Sequence, residues 1–168
     1  GGMTAGRAGA GMGEVGQMMT QMSAQLDQMM GGQPPVLQMQ QMMDLMANFS
    51  SQMAQATGQA SQGTPEMRQT TARILAEMSI MSFQIRDRMP QMAPEQQHEA
   101  GRQVARLMSE MGQSMIQMDA MGTQPSEADQ GRIMDRMRQM QQTMDNVRAR
   151  FGLPAPPPAA TPTAGPGR

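Results

Sequence analysis

The chain has 168 residues, a formal net charge of -1 from 13 basic and 14 acidic side chains, and 26 Met but no Cys. The balanced charge excludes the basic footprint of a nucleic-acid-binding domain, and the lack of Cys excludes disulfides, thiolate metal sites and thiol catalysis. Leu, Ile, Val and Phe make up only about 11% of the chain, so a core would have to be built largely from Met. No apolar run reaches the roughly 18 residues of a membrane-spanning helix.

The first two predicted helices each carry one stripe of apolar side chains. Residues 1–12 are rich in Gly and Ala, and we expect this segment to be flexible. Helix one is predicted over residues 13–30, and the Gly and Pro residues at 31–35 favour its end. Helix two is predicted over residues 36–56, before a polar loop at 57–63. Apolar residues recur at steps of three and four in both segments, so each helix has one apolar face.

Proline marks the start of the next three predicted helices. Helix three opens with Thr64-Pro65-Glu66, a good N-cap followed by residues suited to the first turn, and ends at Met89-Pro90. Helix four opens with Ala93-Pro94-Glu95 and ends before Gly122. Helix five opens with Pro125-Ser126-Glu127 and ends at Gly152. These breaks divide the chain into helix-plus-turn units of similar length.

Consecutive helices joined by short turns predict an all-α fold, an antiparallel up-and-down bundle of four to five helices with a Met-rich core. Apolar stripes that keep their phase through the chain argue against a disordered Met/Gln polymer. The expected organisation is a flexible segment at residues 1–12, a bundle at 13–153 and a disordered Pro/Ala-rich tail at 154–168. The bundle is expected to be a monomer or a homodimer.

The methionines could serve the core alone, because Met packs as a flexible hydrophobic side chain. Met nevertheless specifies a core less well than Leu, and burying it costs roughly 1 kcal/mol more rotamer entropy. Its repeated use therefore suggests that the sulfur itself is needed. The candidate metal ligands, taken from sets at helical spacing, are Met39, Met42, Met43, Met46, Met78, Met81, Met108, Met111, Met115, Met118, Met134, Met137, Met140 and Met144.

Three uses of sulfur fit this pattern. Thioethers favour the soft ions Cu(I) and Ag(I), and Met needs no deprotonation to bind them. A Met-lined helical chaperone or adaptor would instead bind apolar segments of partner proteins through an exposed groove. Met can also consume oxidants by forming the sulfoxide, which buried residues would do poorly. We predict Cu(I) binding, with several ions or Ag(I) as variants, for storage, buffering or detoxification.

An enzymatic function is not expected, because the sequence has no catalytic triad, phosphate-binding loop or paired carboxylates with a base. The only His is His98, which we expect to be solvated in the first turn of helix four. The alternative is that His98 adds a copper ligand near one end of the bundle.

Two resemblances point in the same direction. The segment Met92-Ala93-Pro94-Glu95-Gln96 resembles the Leu-Thr-Pro-Glu-Gln helix start of a periplasmic stress and metal-resistance family that includes small helical chaperones and heavy-metal sensors. The Met-x-x-Met sets without Cys resemble the Met-rich periplasmic copper- and silver-binding proteins of metal-resistance systems. Since those proteins often mix His with Met, a single His argues against Cu(II). The architecture is also similar in concept to cysteine-lined copper storage bundles, with Met replacing Cys.

These resemblances imply a periplasmic or secreted protein whose partners are metal ions and a copper exporter or copper chaperone. No nucleic acid and no membrane span are expected. The chain opens with Gly1-Gly2 rather than Met, so we expect a processed form, or one that keeps a tag remnant, from which any signal peptide has been removed.

Overall fold

The computed structural model of the protein describes residues 12–32 and 34–154. They form five α-helices, namely α1 Met12–Gly31, α2 Val36–Gly58, α3 Pro65–Arg88, α4 Pro94–Met121 and α5 Glu127–Phe151. A short 3-10 turn at Met89–Gln91 links α3 to α4, and no strand occurs in these two ranges. The predicted all-α fold is confirmed. The predicted flexible segment and Pro/Ala tail lie outside the described residues, except for Met12, which is buried as the first residue of α1, and Pro154.

The start of α3 follows the predicted capping chemistry. The Thr64 hydroxyl accepts a hydrogen bond of 3.1 Å from the backbone N–H of Met67, which satisfies one free donor in the first turn of α3. The Ser126 hydroxyl accepts the same kind of bond, also 3.1 Å, from the N–H of Asp129. At the other end of α5, Gly152 adopts the left-handed conformation that ends many helices. Local sequence therefore sets the helix ends.

Helices α1 and α4 pack closely and antiparallel through small residues. A β-carbon added to Gly112 would lie 2.5 Å from the backbone oxygen of Gly16, so the two helix backbones touch at this point. A β-carbon added to Gly101 would lie 2.5 Å from the sulfur of Met30. Because Gly16 faces Gly112 while Met30 faces Gly101, the two helices run in opposite directions.

Helices α2 and α3 form the second close antiparallel pair. The Ser79 hydroxyl donates a 2.7 Å hydrogen bond to the carbonyl of Ala47, and the Gln40 amide donates a 2.8 Å bond to the carbonyl of Arg86. The Arg86 guanidinium also binds Asp87 and Asp44, and these hydrogen bonds raise its pKa above the ordinary value. The contacts fix the register of the pair.

Helix α5 covers the seam between α3 and α4. Arg148 of α5 lies 3.4 Å from Glu77 of α3, and Gln141 of α5 lies 3.0 Å from Arg73 of α3. The later residue of α5 contacts the later residue of α3, so these two helices are parallel. Arg150 reaches across to Glu99 near the start of α4, which is antiparallel to α5. Each helix thus reverses the direction of the one before it, as the up-and-down prediction requires. The closest pairs are nevertheless α1 with α4 and α2 with α3, while α1–α2 and α3–α4 meet sparsely.

The core is made largely of thioethers, as predicted. The buried methionines among the described residues are Met12, Met19, Met30, Met39, Met43, Met46, Met67, Met78, Met81, Met89, Met108, Met111, Met115, Met118, Met137, Met140 and Met144. Ile, Leu, Val and Ala fill the remaining space. No helix in the described part of the chain combines the length and apolarity needed to cross a membrane.

Candidate metal site

Thioethers from two helices converge on one hydroxyl at the end of the bundle where α4 ends and α5 begins. The Thr71 oxygen, on α3, lies 3.6 Å from the sulfur of Met118 on α4 and 3.8 Å from the sulfur of Met137 on α5. The Thr71 proton is used within α3, where it is donated to the carbonyl of Met67 at 2.8 Å. The hydroxyl has one proton, so the Met67 carbonyl and the two sulfurs are alternative acceptors for it, and the carbonyl is the nearest. All four residues are buried.

A third thioether, from Met67 on α3, joins this group. A β-carbon placed on Gly63 would lie 3.3 Å from the terminal methyl of Met118 and 3.4 Å from that of Met67, so both side chains pack against the same point. Gly63 has a positive φ of 78°, which favours glycine, and its N–H donates a 2.8 Å bond to the carbonyl of Gly122. This bond ties the α2–α3 loop to the α4–α5 loop. We call Met67, Met118, Met137 and Thr71 the thioether cluster.

A polar group without a partner lies on α2 at the same level of the bundle. Thr57 is buried, and its hydroxyl oxygen has no hydrogen-bond partner among the described residues. Ala47 pairs with Ser79 in the antiparallel α2–α3 register, so Thr57, ten residues on, lies level with the first turns of α3. A buried hydroxyl without a partner carries a desolvation cost of about 1–3 kcal/mol. The end of the bundle that holds the thioether cluster thus also holds a buried hydroxyl with no hydrogen-bond partner in the described part of the chain.

The structure brings together only part of the predicted ligand set. Met118 and Met137 meet at Thr71, whereas the Met108 sulfur accepts a hydrogen bond from Ser50 of α2 at 3.5 Å. The remaining predicted ligands line the core along α2 to α5 without a shared polar group, and they are Met39, Met43, Met46, Met78, Met81, Met111, Met115, Met140 and Met144. Met42 and Met134 are only half-buried and lie at its edge.

Sequence reasoning did not include Met67 among the candidate ligands. It chose closely spaced sets of Met, and Met67 stands alone in the first turn of α3. The signal that could have found it is the antiparallel register, since the start of α3 must lie beside the end of α4 in an up-and-down bundle. Met67 and Thr71 are four residues apart and lie on the same face of α3, which would then be directed toward Met118.

His98 cannot complete the thioether cluster. It is half-buried near the start of α4, twenty residues before Met118, a separation of about 30 Å along a helix at 1.5 Å per residue. No three His, Asp or Glu side chains in residues 12–32 and 34–154 are grouped so that they could hold a metal ion. The candidate ligands near Thr71 are therefore neutral sulfur and hydroxyl groups.

We compared the chain with protein-family models, with curated proteins and with solved structures, and none of the three comparisons finds a match. The resemblance to Met-rich copper- and silver-binding proteins thus stays a prediction from the Met-x-x-Met spacing.

Proposed function

We propose that the protein binds Cu(I) through methionine thioethers inside its helical bundle, with Ag(I) as the other soft ion that such a site accepts. The observation that carries the proposal is the thioether cluster, where sulfurs from α4 and α5 lie 3.6 Å and 3.8 Å from one hydroxyl on α3. Met67 supplies a third sulfur beside Met118. Met side chains have three rotatable bonds, so the proposal is that they reorient to bring the three sulfurs to one ion.

The ligand chemistry supports a monovalent soft ion. Thioethers bind Cu(I) in preference to Zn, Mg or Ca. No carboxylate or imidazole is among the cluster residues to neutralise the ion, and the cost of burying an ion grows with its charge. A singly charged ion is therefore the species that this site can hold at the lowest desolvation cost. Binding would release no proton, because a thioether carries none.

The rest of the core supports a capacity above one ion. The predicted sets on α2, α3, α4 and α5 are mostly buried, and they line the interior beyond the thioether cluster. A chaperone or adaptor would need its methionines in an exposed groove, so the burial of most thioethers favours the metal. A store of several Cu(I) ions would serve storage, buffering or detoxification. A Cys-free chain suits an oxidising compartment such as the periplasm, where a copper exporter or copper chaperone would exchange ions with it.

Silver titration of protein labelled with ¹³C at the methionine methyl groups tests the proposal residue by residue. Ag(I) is diamagnetic and shares the softness of Cu(I), so ligation moves the methyl resonance of each bound thioether without broadening it. The methyl signals of Met67, Met118 and Met137 should shift together and saturate at a fixed ratio of ion to chain. Single Met-to-Leu variants assign the signals.

Two methionines outside the cluster are the controls. Met18 is exposed on α1, and Met89 is buried at the opposite end of the bundle beside the start of α4. Their signals should stay in place while the first ion binds. The proposal is wrong if only the exposed Met18 responds, or if all methyl signals drift together without saturation.

A further inference from the structure

The bundle has two sparsely packed seams, and only one is covered by a helix. Helix α5 closes the α3–α4 seam with one apolar stripe, formed by Ile133, Met137, Met140, Met144, Val147 and Phe151. The α1–α2 seam lies on the opposite side of the bundle, and no sixth helix covers it within the described residues. One of the two seams is thus already covered by apolar side chains, those of α5.

The register of α1 and α2 places four large apolar side chains at successive levels along the uncovered seam. The Gln38 amide of α2 lies 3.7 Å from the Met29 sulfur of α1, which fixes the two helices relative to each other. Leu45 lies seven residues, or two turns, after Gln38, and Met22 lies two turns before Met29. Leu45 and Met22 are therefore level with each other, and each lies on the same side of its helix as the residue it is counted from. One more turn places Phe49 and Met18 at the next level along the seam. We call Met18, Met22, Leu45 and Phe49 the open seam.

The open seam is the larger part of the exposed apolar surface that the structure describes. Met18 is 46% exposed and Leu45 is 55% exposed, and Leu37 is the only other large apolar residue described as exposed. Met22 and Phe49 are half-buried beside them. Apolar side chains that cluster in this way mark interaction surfaces more often than scattered ones do.

The surroundings of the open seam carry almost no charge. Residues 12–58 contain three ionisable side chains, all acidic, and no Arg, whereas α3, α4 and α5 carry many charges of both signs. Asp44 binds Arg86 of α3, and Asp27 lines a pocket with Arg102 of α4. Glu14 is exposed one turn before Met18, so it borders one end of the seam. Exposed glutamines flank the seam instead, among them Gln21, Gln25, Gln41 and Gln52. The central parts of protein interfaces are depleted in charged residues in the same way.

A neutral amide surface is complementary to a copy of itself. Each Gln side chain both donates and accepts hydrogen bonds, so two identical glutamine surfaces can pair without a like-charge clash. A surface with charges of one sign would instead need a partner of the opposite sign. The exposed glutamines beside Leu45 and Met22 thus favour a second copy of the chain as the occupant.

We propose that the open seam is the interface of a homodimer, in which α1 and α2 of one protomer pack against α1 and α2 of its partner about a two-fold axis. The partner's apolar residues cover Leu45 and Met18 as α5 covers the other seam, and the glutamines form a polar rim. This interface is separate from the thioether cluster and needs no metal, so its test is independent of the proposed metal binding.

Sedimentation equilibrium of the metal-free full chain, over a wide range of concentration, tests the proposal. The wild type should sediment as a dimer of the 18.2 kDa chain. Leu45→Glu places a charge in the interface and should raise the dimer dissociation constant by about tenfold or more. Met18→Glu should do the same from the other helix.

Leu37→Glu is the matched control. Leu37 is 66% exposed on the same helix, but it lies seven residues before Asp44, which binds Arg86, and therefore on the α3 side of α2. This variant should remain dimeric. A monomeric wild type would overturn the proposal, as would equal dissociation constants for Leu45→Glu and Leu37→Glu. If Leu45→Glu loses helicity by circular dichroism, Met18→Glu decides the outcome by the same comparison.

Discussion

The backbones of Gly16 and Gly112 are so close that a β-carbon on Gly112 would lie 2.5 Å from the Gly16 oxygen. Gly112→Ala should therefore force α1 and α4 apart and lower the free energy of unfolding by about 1–3 kcal/mol. Gly131→Ala is the matched control, because nothing lies within 4 Å of a β-carbon at that position of α5. It should stabilise the protein by about 0.5–1 kcal/mol, since Ala is the better helix former. Chemical denaturation measures both, and effects of the same sign would contradict this packing.

The Glu77–Arg148 pair holds α5 on α3. Their side chains are only 14% and 7% exposed and approach to 3.4 Å, and Arg148 also binds Asp145 at 2.9 Å. Glu77→Gln should cost about 1–3 kcal/mol of unfolding free energy, because a buried guanidinium loses a charged partner. Asp135→Asn removes the exposed partner of Arg138 and should change stability by less than about 1 kcal/mol. Thermal melting that does not distinguish the two variants would show that the buried pair contributes little.

The thioether cluster predicts that the metal-free protein will not depend on its sulfurs for stability. Met118→Leu with Met137→Leu conserves volume. Without metal, the free energy of unfolding of the double variant should therefore lie within about 1.5 kcal/mol of the wild-type value, or above it. The rise in melting temperature that Cu(I) gives the wild type should be lost or reduced. Met30→Leu with Met89→Leu, two buried residues at the other end of the bundle, should keep that rise. If both double variants keep it, these two sulfurs are not ligands.

Cu(I) affinity should vary little between about pH 5 and pH 8, because thioethers have no proton to lose in this range. Competition titrations at several pH values measure the affinity, with the competitor's own pH dependence corrected. His98→Gln should leave it unchanged, since His98 lies about 30 Å along α4 from Met118. A marked loss of affinity in acid would contradict a site made of thioethers.

The helix ends could be predicted because the residues that cause them are local. Thr64 caps α3 and Gly152 ends α5 as their sequence positions indicate, whereas the cap on α5 is Ser126, one residue after the predicted start at Pro125. The pairing of α1 with α4 could not be predicted, because Gly16 and Gly112 are 96 positions apart and each resembles an ordinary helical glycine until its partner is known. The local Met spacing made Met118 and Met137 candidate ligands, but their meeting at Thr71 depends on how three helices align.

The most direct test of the central claim is a Cu(I) titration of the purified, metal-free protein under anaerobic reducing conditions against a chromophoric Cu(I) competitor. The account predicts that the wild type withdraws Cu(I) from the competitor to a defined stoichiometry of one or more ions per chain. It also predicts that the Met118→Leu, Met137→Leu variant binds at least one ion fewer while keeping its helicity. Failure of the wild type to retain Cu(I) against even a weak competitor would contradict metal binding and leave the methionines as core packing.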